Sequence, residues 1–126
     1  MIQDLANRNV PQAIASSTSR QNFEMKTVNH QDWLKHFELF TLGDDPEIEQ
    51  GKPAPDIFLL TAKRLKAKAE NCIVFEDSLS GMKAAIAAGM YVVVIPDPLF
   101  DKKLFAGANQ VLNSITEFDS SIIIDH

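Results

Sequence analysis

The sequence has 126 residues, of which 45% are hydrophobic and 23% are charged, a balance typical of one globular domain. The formal net charge of −5, without a basic stripe, argues against a nucleic-acid partner. The single cysteine excludes an internal disulfide, and no apolar run reaches the roughly 18 to 20 residues that span a bilayer. We therefore expect one cytoplasmic domain over residues 1–126, with neither nucleic acid nor membrane as a partner.

The first third of the chain alternates helices with short strands. Apolar spacing predicts helices over residues 2–9 and 20–28, a helical turn over 32–36, and strands over 13–15 and 38–42. Four hydroxyl residues at positions 16–19 follow the first strand, so they offer hydroxyls and amides where that strand ends. The acidic residues Asp44 and Asp45 are expected to form a turn that faces solvent.

A lysine in a Gly-Lys-Pro frame precedes the next predicted helix. Two prolines hold residues 51–55 extended and fix Lys52 relative to that helix. Asp56 is expected to be its N-cap, and Phe58, Ala62 and Leu65 recur on one helical face.

Residues 72–96 have the pattern strand, loop, helix, strand. The two apolar runs are typical of parallel strands that are covered on both faces. The helix between them has Ser78 or Asp77 as N-cap, Met82 and Ile86 on one face, and Gly89 as its stop. The carboxylates of Glu76 and Asp77 therefore follow a buried strand, where open α/β sheets place their chemistry.

The rest of the chain predicts a short helix over residues 102–106, a small strand over 110–112 and a tail of undefined structure over 115–126. Strands that alternate with helices in this way predict an α/β fold with a parallel sheet and helices on both faces.

The three polar loops matter more together than alone. Each has an ordinary structural explanation, as a helix cap or as a surface lysine. Together they supply hydroxyls and amides that donate to phosphate oxygens, an ammonium group that neutralises charge, and carboxylates that hold Mg²⁺.

These motifs resemble the haloacid dehalogenase superfamily, and within it the subgroup of pseudouridine-5′-phosphatase and β-phosphoglucomutase-like enzymes. The resemblance extends to about Asn113 and rests on residues 13–17 (AIASS), 43–47 (GDDPE), 51–58 (GKPAPDIF), 74–78 (VFEDS), Gly81 and 88–89. It implies a three-layer, Rossmann-like core around a parallel sheet. It also implies that Ser16 and Ser17 bind the phosphoryl group, that Lys52 stabilises its charge, and that Asp77 with Glu76 holds Mg²⁺.

The sequence departs from that family at the nucleophile. The family's attacking group is the first Asp of an Asp-x-Asp motif on an N-terminal strand, and this sequence contains no Asp-x-Asp. The helical cap that the subgroup inserts before the second motif is also missing. Because the family's nucleophile strand lies between the strands that carry Ser16 and Asp77, its loss would leave two unpaired edges. We therefore expect the C-terminal part of the family's core, from a shortened gene product or an incomplete gene model.

Two functions remain open. The first is an Mg²⁺-dependent phosphatase of a small sugar or nucleoside phosphate. Without the missing aspartates we expect this chain to be inactive alone and to bind Mg²⁺ weakly or not at all. Whether the chain is an enzyme therefore stays open. The alternative is a non-catalytic phosphate-binding or regulatory remnant. Self-association, a complementing chain or the tail at residues 121–125 would fill the open sheet edge. A phospho-receiver domain is excluded, because receivers place the acidic pair first and the lysine last.

Overall fold

The computed structural model describes residues 1–123, the side chain of Trp33 excepted, and it has an α/β architecture. The helices are α1 (Ile2–Asn7), α2 (Arg20–Thr27), α3 (Gln31–Leu34), α4 (Asp56–Leu65) and α5 (Leu79–Ala87). The strands are β1 (Ala13–Ser16), β2 (Leu39–Leu42), β3 (Ile73–Glu76), β4 (Tyr91–Val94) and β5 (Gln110–Val111). Short 3-10 turns lie at Ala69–Asn71, Lys102–Phe105, Ile115–Glu117 and Ser120–Ile122.

The strands form two parallel sheets. One contains β1 and β2, with Ala13 opposite Leu39, and the other has the order β3-β4-β5, with Ile73 opposite Tyr91. In the part of the chain that the structure describes, β1 does not pair with β3. The parallel α/β prediction is therefore confirmed, and the sheet is interrupted between the strands that carry Ser16 and Glu76.

Helices α4 and α5 cover one face of these sheets. Val92 and Val94 of β4 are fully buried against α4 and α5, where Ala84 and Ala85 let α5 approach closely. Helix α4 contacts β1, β2 and α5, so it connects the two sheets. Burial of apolar surface stabilises by about 25 cal/mol per Å², so this shared core helps to hold the two sheets together.

Aromatic side chains pack on the opposite face. Phe40 of β2 contacts Phe23 and Phe37, and Phe118 of the C-terminal segment lies edge-on to Phe75 of β3, with ring centroids 4.9 Å apart. Both faces are therefore covered, as the continuous apolar strands predict.

One helix prediction needs correction. Asp56 is not the N-cap of α4, because Pro55 holds that position and the Asp56 carboxylate accepts hydrogen bonds from the amides of Glu49 and Gln50 instead. Met82 and Ile86 lie on one face of α5, as predicted, because both reach the space beside Gly107, although Ile86 is 45% exposed. The other signals hold: Ser78 caps α5, and Gly89 follows its end with a φ of 76°.

The structure describes the C-terminal tail as far as Ile123. The guanidinium of Arg8 donates to the carbonyl oxygens of Ser120 and Ile123, which attaches the C-terminal segment to the chain just after α1. Ile124 and Asp125, which belong to the predicted gap-filling segment, lie outside the described residues. Among the residues described, no helix is both long and apolar enough to cross a bilayer.

Candidate functional site

An ion pair between Lys52 and Glu76 joins the loop before α4 to the end of β3. Lys52 Nζ lies 2.6 Å from Glu76 Oε2, and the two side chains are only 11% and 9% exposed. The ammonium also lies 5.0 Å from the centroid of the Phe58 ring. Two charges with so little water around them depend on each other, because removing either one leaves an unpaired charge in an apolar setting.

The second carboxylate oxygen of Glu76 is also occupied. Glu76 Oε1 accepts hydrogen bonds from the Asp77 amide and the Ser78 hydroxyl, both at 3.2 Å. Gly81 makes room for this carboxylate, because a Cβ atom at that position would overlap it. Glu76 is therefore held in one place by three donors and by a glycine of the following helix.

A small cavity lies beside Lys52. Its volume is about 60 Å³, equivalent to roughly two water molecules in liquid. The residues around it come from the loops that follow β1 and β2 and from the first turn of α4: Ser17, Gly43, Ile48, Gly51, Lys52 and Ile57. The structure thus brings Ser17 and Lys52 to one cavity at the carboxyl ends of β1 and β2.

Ser16 lies at the end of β1, and its hydroxyl accepts a hydrogen bond from the Thr18 amide at 3.3 Å. The Gly43 amide donates to the Thr18 carbonyl, and a Cβ atom at Gly43 would overlap the Ser17 carbonyl. The loops after β1 and β2 are therefore in direct contact. Neither Ser16 nor Asp77 lines the cavity.

Asp77 is exposed, and its carboxylate has no partner among the described residues. No group of three or more His, Cys, Asp or Glu side chains in residues 1–123 could hold a metal ion. Mg²⁺ favours near-octahedral oxygen coordination, and here one carboxylate of the candidate pair is engaged by Lys52. The residues present do not by themselves fit a tight Mg²⁺ site.

The loop over residues 43–51 is fixed at two points. Arg64 of α4 pairs with Asp45 at 2.7 Å and with Glu47 at 2.6 Å, and the Asp56 carboxylate binds two amides of the loop. The hydrogen bond from Arg64 lowers the pKa of Asp45 below its ordinary value of 3.8.

The predicted turn is present and Asp44 is exposed, but the prediction that Asp45 faces solvent is wrong, because its carboxylate pairs with Arg64. The Asp44 carboxylate accepts from the amide of Arg20 at the start of α2, and Asp45 anchors the loop to α4. Sequence reasoning also missed Arg64, and no local signal marks it, because its partner lies 19 positions away.

The family comparison agrees with this architecture. The model of the haloacid dehalogenase-like hydrolases matches residues 1–89. Those residues include the loops of Ser16, Lys52 and Glu76, together with α5.

Individual relatives match nearly the whole chain. (DL)-glycerol-3-phosphatase 2 of Arabidopsis thaliana is 40% identical over 121 residues, which are 94% of this chain and 50% of the relative. A protein of Drosophila melanogaster described as a probable pseudouridine-5′-phosphatase is also 40% identical, over 94% of this chain and 52% of its own length. The chain thus spans about half the length of these curated relatives.

The solved structure of CbbY from Rhodobacter sphaeroides in complex with phosphate has the same architecture. Its TM-score is 0.80 and its sequence identity 30%, over 92% of this chain and 52% of CbbY. These matches support the subgroup of pseudouridine-5′-phosphatase and β-phosphoglucomutase-like proteins.

Proposed function

This chain belongs to the haloacid dehalogenase-like hydrolase family, and we propose that it carries the phosphate-binding half of a phosphoric monoester hydrolase. The substrate is a small sugar or nucleoside phosphate, as in pseudouridine-5′-phosphatases. We propose further that the chain alone does not hydrolyse it. One observation carries the proposal: the largely buried ammonium of Lys52 lies beside the Ser17 cavity at the strand ends, in a sequence without Asp-x-Asp.

Each residue of the half-site has a defined task. The hydroxyls of Ser16 and Ser17 donate to phosphate oxygens, and Lys52 moves its charge from Glu76 to the bound phosphate. A serine hydroxyl needs an adjacent base to attack phosphorus, and Ser16 accepts only from the Thr18 amide. The half-site can therefore bind and orient a phosphate, but it lacks an attacking group.

Asp77 and Glu76 would be the ligands of Mg²⁺. Asp77 has a free carboxylate, and Glu76 becomes available only when Lys52 leaves it. Mg²⁺ binding to the chain alone is therefore weak or absent. The remaining parts of the proposal are a cytoplasmic location, one core domain over residues 1–126, and a small phosphorylated metabolite as partner instead of nucleic acid or membrane.

The test measures turnover and binding separately. We expect the chain to hydrolyse p-nitrophenyl phosphate with Mg²⁺ no faster than a control protein, and to bind inorganic phosphate in titration calorimetry. Lys52→Met should abolish that binding, whereas Lys63→Met, an exposed lysine of α4, should leave it unchanged. Turnover that is lost on Asp77→Asn would contradict the proposal, because a carboxylate of this chain would then be the nucleophile. Absence of phosphate binding would also contradict it.

The second candidate is a regulatory or phosphate-binding remnant without catalysis. The same observation favours it: Ser16, Lys52 and Asp77 are present in the sequence, but the Asp-x-Asp motif of the nucleophile is not. The two candidates differ when the unmatched half of the Arabidopsis relative is supplied as a separate polypeptide. Restored Mg²⁺-dependent hydrolysis supports the phosphatase half, and binding without turnover supports the remnant.

A further inference from the structure

We propose that Arg64 is a positioning residue of the phosphate site, which holds the loop over residues 43–51 in the shape that forms the cavity wall and presents Lys52 to it. Arg64 does not line the cavity itself, so it acts through the carboxylates that it binds. The inference rests on the proposed function, because it assigns a further residue to the same site, and one of its two tests needs no phosphate.

The wall of the cavity is formed mainly by this loop and by Lys52, which follows it directly. Gly43, Ile48, Gly51 and Lys52 are among the residues that surround the cavity, and the others come from the loop after β1 and from α4. The cavity volume is only about 60 Å³. A small displacement of the loop therefore changes both the space for an anion and the position of the ammonium group.

Arg64 binds the loop through two nitrogens of its guanidinium. Nη1 lies 2.7 Å from Asp45 Oδ2, and Nη2 lies 2.6 Å from Glu47 Oε2. Because the guanidinium is planar and rigid, the two contacts fix both the separation and the direction of the two carboxylates. The side chain of Asp45 is only 16% exposed, so water screens this contact in part only.

The Asp45 carboxylate passes this constraint on to the backbone of the loop. While Oδ2 binds Arg64, Oδ1 accepts a hydrogen bond from the amide of Glu47 at 2.9 Å. The carbonyl of Asp45 accepts from the amide of Ile48 at 3.1 Å, and Ile48 lines the cavity. The contact with Arg64 therefore reaches the cavity wall through Asp45.

Helix α4 supports the site at its first turn as well. The Asp56 carboxylate binds two amides near the end of the loop, and the Phe58 ring lies 5.0 Å from Lys52 Nζ. Ile57 lines the cavity, and Arg64 follows it seven positions later on the same helical face. One helix thus fixes the loop at both ends, and Arg64 is the contact for the beginning.

Arg64 also neutralises two negative charges in the loop that borders an anion site. The carboxylates of Asp45 and Glu47 both face its guanidinium. Without it, two like charges would repel each other and would also repel a phosphate. The hydrogen bond between the partners raises the pKa of Arg64 and lowers the pKa of Asp45, so both groups stay charged at neutral pH.

The first experiment measures the affinity of the full chain for inorganic phosphate by titration calorimetry, at a temperature at which every variant is folded. We expect Arg64→Met to weaken binding about tenfold. Arg64→Lys should weaken it less, about threefold, because one ammonium keeps a single carboxylate contact. If Arg64→Met does not fold, the loss in Arg64→Lys carries the test.

Two matched variants separate this role from charge and from stability. Lys63→Met removes an equal charge from an exposed position of the same helix. Arg8→Met removes an arginine that binds two carbonyls of the C-terminal segment and precedes β1, whereas the cavity lies beyond the end of that strand. Both variants should keep the phosphate affinity, although Arg8→Met lowers stability.

The second experiment follows amide hydrogen exchange without phosphate. In Arg64→Met the amides of Glu47 and Ile48 should exchange faster, because both donate to Asp45. The two loop amides that Asp56 holds should change less. If Arg64 only stabilised α4, exchange would rise along the whole helix, and the phosphate affinity of the folded chain would stay the same.

The outcomes distinguish this inference from the proposed function. If the unaltered chain binds phosphate and Arg64→Met binds it equally well, Arg64 has no positioning role, and the proposed function stands. Unchanged exchange at Glu47 and Ile48 would also overturn the inference, because the loop would keep its shape without Arg64. An equal loss of affinity in Arg8→Met would overturn it by assigning the effect to stability. Absence of phosphate binding by the unaltered chain would overturn both.

Discussion

Lys52 has one ammonium group, and at the residue scale two anions compete for it. In this structure the anion is Glu76, at 2.6 Å and largely removed from water. A phosphate in the neighbouring cavity would have to draw the ammonium away and leave the Glu76 carboxylate with the Asp77 amide and the Ser78 hydroxyl. If the half-site binds phosphate as proposed, the cost of breaking this pair would lower its phosphate affinity.

Removing the competing charge should strengthen phosphate binding. Glu76→Gln keeps the shape of the side chain, so we expect inorganic phosphate to bind about tenfold more tightly, equivalent to roughly 1.4 kcal/mol, in titration calorimetry. Glu70→Gln changes the net charge equally at an exposed position, and it should leave the affinity unchanged. Weaker binding by Glu76→Gln would show that Glu76 supports the anion site instead of competing with it.

Gly81 offers a second prediction at this scale. Alanine is normally better than glycine inside a helix, by about 1 kcal/mol. Here its Cβ would overlap the Glu76 carboxylate, so Gly81→Ala should lower the free energy of unfolding by about 1 to 3 kcal/mol in urea titrations. Gly107→Ala meets only ordinary contacts, the nearest being Ile86 Cδ1 at 3.5 Å, and should change it by less than about 0.5 kcal/mol. Placing Gly81→Ala in a Glu76→Ala background should remove most of the cost.

At the element scale, the position of Lys52 depends on the loop over residues 43–51 and on α4. Arg64 and Asp56, both on α4, hold this loop at its beginning and near its end. Gly51 and Lys52 follow directly. The stability of this loop should therefore depend on the ionisation of Asp45, whose carboxylate pairs with Arg64.

The sign of that pH dependence follows from the lowered pKa. A carboxyl group whose pKa is lower in the folded state adds stability above its ordinary pKa of 3.8 and loses that contribution as the pH falls through the folded value. Asp45→Asn should therefore lower the Tm by a few degrees at pH 7, and the difference should shrink below pH 3.8. Glu24→Gln, at an exposed position of α2, is the control. A difference that stayed constant with pH would assign the effect to packing and not to charge.

The elements also show which features a sequence can predict. Strands β1 and β2 lie within one residue of the predicted ranges, and β3 and β4 lie at the two apolar runs predicted within residues 72–96, because each is an apolar run that ends at polar turn residues. The position of Asp56 predicts an N-cap, but its carboxylate accepts hydrogen bonds from two amides of the preceding loop. The pairs Lys52–Glu76 and Asp45–Arg64 join segments 24 and 19 residues apart, and only the fold brings them together.

At the scale of the whole molecule, the chain consists of two sheet units with limited connections. The unit of β1 and β2 is joined to the unit of β3, β4 and β5 through α4, the Lys52–Glu76 pair and the packing of Phe118 on Phe75. No backbone hydrogen bonds of a common sheet link β1 with β3 in the described residues. Cooperative unfolding requires that the units lose their structure together. Hydrogen bonds of a common sheet usually couple such units, and they are missing between β1 and β3 in the described residues.

We therefore expect the two units to unfold at different urea concentrations. Trp33 is the chain's one tryptophan and lies in the sequence between β1 and β2, so its fluorescence should follow the first unit, whereas far-UV circular dichroism follows all helices and strands. The two transitions should not coincide, and sedimentation should show self-association as concentration rises, because unpaired edges bind other strands. A monodisperse monomer with a single coincident transition would mean that α4 and the side-chain contacts alone couple the units.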